Sequence, residues 1–225
     1  MGWIWWGGGS AKVLIYVSTS AFVRFIFLIR RKETYSTTGP RIMVRFFGGF
    51  DFTAEDANAR MPAESGYDKG VPMGGDLRNA PKDESPTFLV AALKDAYSGN
   101  LDRIQIIKGW LDGKGKLHEQ VYDVVWGDAD KRQPGGDGKL PAVGKTVDVK
   151  EATWTNSISD PELITVWKDP DFDPTLRAFY YARVIEIPTP RWSTYDAKTL
   201  GIDPPAGYPA SQQERAWSSP IWYTP

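Results

Sequence analysis

One imidazole is available to this chain, His118, and there is no cysteine thiol. A hydrolytic metal centre usually gathers several imidazoles or thiolates around the ion, and these 225 residues cannot build one that way. Carboxylates are the remaining ligand type. Asp169, Asp171 and Asp173 alternate in a loop, and Asp76 follows Gly74 and Gly75. Alternation can turn several carboxylates toward one hard cation, but Pro170 and Pro174 restrict the loop and no full calcium-loop pattern follows. A solvated acidic loop is expected there. A hydrolase using only carboxylates would need Asp76 and the 169–173 loop to converge in one cleft. No catalytic residue and no metal ligand is assigned.

The arginines offer a different chemistry. A guanidinium fork matches planar carboxylates and phosphates, and Arg41 and Arg45 are placed on one strand face, with Arg103 elsewhere. They would meet an anionic ligand or a neighbouring domain; salt bridges within the domain are the plain alternative. Gly74 and Gly75 would present backbone N–H donors beside the Asp76 carboxylate at a domain junction, or simply permit a tight turn. Trp110 sits where a hairpin turns and is expected to stack on Trp126 across the two strands. The candidate ligand-binding set is therefore Arg41, Arg45, Gly74, Gly75, Asp76, Arg103 and Trp110.

Composition sets the frame for these residues. Charge is balanced, 27 Lys and Arg against 28 Asp and Glu, so nothing draws the whole chain to nucleic acid, and no nucleic-acid partner is expected. Arg30, Arg31 and Lys32 read as a solvated corner. The absence of Cys removes disulfides and fixes no compartment. Ten each of Trp, Tyr and Phe, with 17 Pro and 22 Gly, predict a mainly β fold. The expectation is a β-sandwich-like domain with long Pro/Gly-rich loops and few short helices.

Along the chain, residues 41–47 read as a strand ended or bulged by Gly48 and Gly49, and Thr53 caps a short helical turn. Residues 61–86 read as mostly loop, and 87–95 suit helix or strand equally. The clearest unit is a hairpin, LDRIQIIKGW at 101–110 and LHEQVYDVVW at 117–126, joined by a glycine turn. A polar excursion fills 130–144, and a short strand is expected at 146–149. Pro161 after Asp160 predicts one helical turn before a strand. In 176–186, Phe179, Tyr181, Arg183 and Ile185 share one strand face. Residues 191–214 read as an irregular arm, pinned by Arg–Trp stacking at Arg191–Trp192 and Arg215–Trp217. A closing strand over 216–223 is broken by Pro220.

The first thirty residues read differently. Residues 13–29 are strongly apolar, yet shorter than the roughly 20 needed for a comfortable membrane span, and Arg24 places a charge inside them. Two buried strands fit equally, as does a frameshifted or mispredicted start. The chain therefore divides into an atypical apolar segment, 1–30, and a β-rich domain, 31–225, with a membrane partner not expected.

Several stretches, in order, resemble the C-terminal part of the DUF3604 family, a large bacterial family of unknown function. They are RKETYSTTGPR at 31–41, GGDL at 74–77, LDRIQIIKGW at 101–110, IPTPRW at 187–192 and ERAWSSPIWY at 214–223. The resemblance covers about 31–225. It implies a preceding domain related to PHP-type metal-dependent phosphoesterases, with its divalent metal and its His and acidic ligands upstream of everything here. On that reading the chain is the C-terminal structural or active-site-bordering domain of a metal-dependent hydrolase, with no cofactor of its own and not catalytic alone. Its expected partners are the upstream metal domain and a small anionic substrate at the domain junction, in a bacterial protein that is soluble or exported. The alternative is a binding module that holds a glycan or anionic ligand through exposed Trp and Arg residues.

Overall fold

Every second residue from Ala178 to Glu186 is buried, and the residues between are half exposed. That alternation is the mark of a strand with one face on a core, and this strand organises the molecule. In the computed structural model the described residues are 29–136 and 138–225, with the backbone of three two-residue pieces, Gly2–Trp3, Lys12–Val13 and Tyr16–Val17. The membrane, buried-strand and mispredicted-start readings of the first thirty residues fall largely outside them. Among the described residues no helix is long and apolar enough to cross a membrane.

The elements run in the order β1 Tyr35–Thr37, β2 Met43–Gly49, α1 Ala54–Ala57, α2 Pro62–Lys69, β3 Gly70–Pro72, β4 Asp76–Arg78, β5 Thr87–Leu93, β6 Leu101–Leu111 and β7 Leu117–Trp126. There follow β8 Glu162–Lys168, β9 Ala178–Glu186, β10 Thr189–Pro190, α3 Trp192–Leu200, β11 Ser211–Gln212, β12 Arg215–Ser218 and β13 Ile221–Thr224. The fold is mainly β, as the composition predicts, and sandwich-like.

The first sheet is built on the β6–β7 hairpin and β9, all antiparallel. The far edge of β9 is shared. Arg183–Ile185 pair with β12, and Ala178–Tyr180 pair with β13. Pro220 lies between those two strands and lets one stretch of chain serve both halves of the edge, because proline cannot continue a ladder. β1 extends the sheet beyond β12, and β4 runs parallel to β13. The second sheet has the order β8–β5–β2–β3, antiparallel throughout.

The two inner faces meet in one core. Ile104, Ile106, Tyr180, Ala182, Val184 and Ile221 from the first sheet face Val44, Phe46, Phe88, Val90 and Leu163 from the second. Phe88 stacks on Phe46 and tilts against Tyr180, with ring centroids 5.5 and 4.5 Å apart. A smaller cluster of Phe47, Phe52 and Leu89 lies on the other face of the second sheet under α1 and α2.

Several local expectations are corrected. Residues 61–86 hold α2, β3 and β4 rather than loop alone: Pro62 opens a helix, and Gly66 lets it lie on the Phe47 ring, where an added Cβ would overlap. The arm at 191–214 contains α3, closed by Gly201 in the left-handed conformation. Pro161 starts no helix; Leu101 bridges Asp160, and β8 begins at once. Residues 146–149 form only a single bridge, Asp148 to Thr153. Of the ambiguous 87–95 stretch, Thr87–Leu93 form an interior strand of their sheet, β5, paired on both sides.

Candidate functional site

The strand pattern that buries one face of the first sheet turns the other outward, and the register fixes what lies there. In one row across the strands stand Glu119, Gly109, Phe179, Trp222 and Asp76. The next row holds Val121, Ile107 and Tyr181, and the third holds Asp123, Gln105, Arg183, Trp217 and Ser36. The aromatic rings touch: Phe179 and Trp222 centroids are 5.3 Å apart, and Phe179 and Tyr181 are 6.5 Å apart and within 12° of parallel. Trp222 is 43% exposed. Gly109 makes this packing close, since the Phe179 ring leans over its Cα and a side chain there would collide. That is an aromatic ring covering the gap a strand glycine leaves.

The third row is a hydrogen-bonded rail. Gln105 Nε2 donates to Asp123 Oδ1 (2.7 Å), and its Oε1 accepts from Arg183 Nε (2.8 Å). Arg103, the candidate in this region, is consumed by its neighbours: Nε donates to Asp102 (3.2 Å), Nη1 to Asp123 (3.1 Å) and Nη2 to the Pro141 carbonyl (3.2 Å). Asp102 is buried and also pairs with Arg132.

Inside, one end of the sandwich is closed by charge. Lys108 shares the inward parity of Ile104 and Ile106, and its Nζ lies 2.7 Å from Asp169 Oδ2, with both side chains almost fully buried. The Tyr180 hydroxyl donates to the same Asp169 oxygen (2.7 Å), and Lys108 Nζ also donates to the Asp171 carbonyl (2.6 Å). Burial, then the Asp169 charge, pushes the Tyr180 hydroxyl well above its ordinary value. Burial and the bond from its hydroxyl to Asp171 Oδ2 (2.8 Å) do the same for Tyr122.

These contacts correct the expectation of a solvated acidic loop: Asp171 and Asp173 are exposed, but Asp169 is buried. Asp169 is held by Lys108 and Tyr180, Asp171 by Tyr122, and Asp173 bonds Thr175 at the turn. The three carboxylates face three different partners, and no group of three His, Asp or Glu side chains suited to one ion occurs among the described residues. His118 Nε2 is bonded to Asp112 Oδ2 (2.9 Å), and its ring stacks on Trp110 at 5.2 Å. The His118 bond, with the backbone N–H groups of Lys116 and Lys114, holds Asp112 below the usual carboxylate range. Each of these donors is taken up by a partner of its own, and among the described residues the set does not fit a metal centre.

The Trp110–Trp126 stack is corrected by the register. In the antiparallel hairpin Trp110 lies opposite His118 near the turn, while Trp126 lies opposite Arg103 at the far end and donates to the Arg132 carbonyl (2.7 Å). The arm is likewise pinned differently: Arg191 sits over Tyr208 at 5.5 Å, and Trp192 is exposed.

The remaining candidates occupy other places. Gly74 has φ +87°, and an added Cβ would overlap the Lys32 carbonyl. Its N–H donates to the Pro220 carbonyl (3.1 Å), and the Gly75 N–H donates to Pro72 (2.9 Å), so both backbone donors serve the fold. Asp76 is exposed on the first sheet's outer face. Arg45 is exposed on the outer face of the second sheet, lining a groove with Met43, Ala63, Leu93, Glu162 and Ile164. Arg41 keeps the exposed parity of Arg45 but precedes β2, where its N–H donates to Asp95 (2.7 Å). The structure thus brings Asp76 and Arg103 to one face and leaves Arg41, Arg45 and Trp110 apart from them.

Glu186 carries a second unusual environment. It is fully buried at the end of β9 and accepts from Ser98 Oγ (2.8 Å), while among the described residues its other oxygen has no hydrogen-bond partner. Burial, reinforced by Glu214 and Asp95, pushes its carboxyl up to about 8.

A family model matches residues 24–225 of this sequence. The chain belongs to the family described as a protein of unknown function, DUF3604. The match begins inside the apolar segment, seven residues before the motif that starts at Arg31. No curated protein and no solved structure matches the chain. Within this DUF3604 chain, the alternation over 176–186 already places Phe179, Tyr181 and Arg183 together. What joins them to Trp222 and Asp76 is pairing between distant segments, which has no local signal.

Proposed function

We propose that this chain is the C-terminal, β-rich portion of a metal-dependent hydrolase acting on phosphoester-like bonds, and that it supports and borders an active site contributed by a preceding domain. Its own residues do not break bonds. The observation that supports this reading is the way the entry to the sandwich is held. Lys32 lies against Gly74, and Thr34 Oγ1 is 3.0 Å from Ser219 Oγ, while the Ser219 N–H donates to the Thr34 carbonyl (2.9 Å). Glu33 bonds Arg31 and the Tyr67 hydroxyl, and Thr38 bonds Glu214 and the Arg215 carbonyl. A domain joined at residue 31 would leave from a fixed point in a fixed direction, as a shared active site requires. The divalent metal and its ligands would belong to that domain, and a small anionic substrate would sit at the junction.

The test is the coding DNA upstream, translated in all three forward frames. A stretch rich in His and Asp supports the reading, and its absence from every frame overturns it. With that domain joined, hydrolysis of bis-p-nitrophenyl phosphate with Mn²⁺ is expected; turnover by this chain alone above the metal blank overturns the non-catalytic assignment. The second reading, a module that binds a glycan or anionic ligand, is favoured by the aromatic outer face of the first sheet.

A further inference from the structure

We propose that this outer face binds an acidic oligosaccharide, with sugar rings lying on Tyr181, Phe179 and Trp222 and an acidic group held by Arg183. This inference rests on the binding-module reading and is independent of the hydrolase reading. Aromatic rings offer the apolar faces of sugars a flat partner with little conformational entropy to lose. Here the rings run along β9 and across to β13, with Phe179 in contact with both of the others, near-parallel to Tyr181 and tilted 50° from Trp222, and Gly109 lets Phe179 sit low against the sheet.

Charge decides which sugar. The Arg183 guanidinium is oriented by Gln105, which is itself held by Asp123, and the Asp123 charge is met by Arg103. Among the described residues the two Nη groups of Arg183 carry neither hydrogen bond nor ion pair. Arg215, exposed on β12, is its diagonal neighbour across the ladder, since Arg215 lies opposite Ile185 and Arg183 opposite Trp217. The exposed carboxylates of this face, Glu119 and Asp76, stand at opposite ends of the Phe179 row, two rows from Arg183, although the Glu119 charge, like that of Arg183, reaches Tyr181. A pre-oriented guanidinium with open donors is built for a carboxylate or sulfate on the ligand.

Two other occupants fit less well. A single-stranded nucleic acid needs a basic groove that follows its phosphates, and the chain carries a net charge of -1. A second copy docked with its two-fold axis through Arg183 would bring the same arginine pair against itself.

The experiment titrates the full chain, following tryptophan fluorescence, with acidic hexasaccharides (oligogalacturonate, oligoalginate and a heparin fragment), a neutral cello-hexasaccharide and an oligo-dT. At least one acidic hexasaccharide is expected to bind about tenfold more tightly than the neutral one. Arg183→Gln should remove that preference, Arg183→Lys should restore only part of it, and Trp222→Ala should weaken both ligands. Urea midpoints of the variants separate lost binding from lost folding. Equal binding of neutral and acidic sugars overturns the acidic assignment and leaves the binding module standing. No binding of any saccharide overturns the acidic assignment and glycan binding by this face alike. Tighter binding of oligo-dT, or concentration-dependent dimers abolished by Trp222→Ala, overturns the proposal in favour of nucleic acid or self-association. None of these outcomes bears on the upstream DNA, so the hydrolase reading stands or falls separately.

Discussion

Lys108 and Asp169 are almost fully buried and 2.7 Å apart, an arrangement whose removal is more informative than its presence. A buried pair often contributes little net stability, but a surviving partner without its counter-charge is strongly destabilising. Lys108→Met should therefore lower unfolding stability by about 3–5 kcal/mol, and the double variant Lys108→Met with Asp169→Leu should recover most of that loss in urea denaturation. Recovery of nothing would mean that the Asp171 carbonyl, not the ion pair, is the partner that matters. Glu186 gives the second residue-level prediction. The native state keeps a proton that the unfolded chain releases near the ordinary value of 4.5, and holds it up to about 8. Stability should fall as pH rises through that window and level off above it. Glu186→Gln cannot titrate, so its urea midpoint should lose this part of the slope; an unchanged slope would place the titration elsewhere. Neither residue announces itself in the sequence: Lys108 looks like an ordinary strand residue until its parity with Ile104 and Ile106 is followed, and the loop that supplies Asp169 arrives from a distant segment.

Among the elements, those written by alternation were legible. β7 runs over Leu117–Trp126 as read, and β9 shows the two faces that its sequence separates. The short helical turn capped by Thr53 was legible and is α1, whereas α2 and α3 were not, because they are amphipathic only in part and are supported by what they cover, Phe47 in the first case, rather than by propensity. Tryptophan spacing misled for a similar reason: partners in a hairpin follow from register, and Trp110 and Trp126 lie at opposite ends of theirs. Gly109 is the glycine whose role the neighbouring strand explains. Gly109→Ala should cost about 1–3 kcal/mol by overpacking against Phe179, and that cost should shrink in a Phe179→Ala background. Additive effects in the double-mutant cycle would show that the ring and the glycine are not coupled.

For the whole molecule, composition was sufficient to predict a mainly β, sandwich-like fold, and the way distant segments assemble was not. The candidate arginines illustrate the limit: Arg45 and Arg103 end on outer faces of different sheets. Removal of residues 215–225 should abolish the cooperative urea transition, since Ala216, Ile221 and Tyr223 belong to the main core and their strands cover an edge of β9. A shortened chain that still unfolds in one sharp transition would show that the core closes without them.

The proline between β12 and β13 also has a meaning in time. During synthesis β6, β7 and β9 emerge well before the stretch that fills the other edge of β9, so the growing chain passes through a stage with an open hydrogen-bonding edge and unfilled places beside Tyr180 and Val184. Long-range pairing of this kind forms slowly and exposes strand edges while it waits. Arrest of translation just before Arg215 should thus yield a nascent chain that binds chaperones, and release of the final strands should end that dependence.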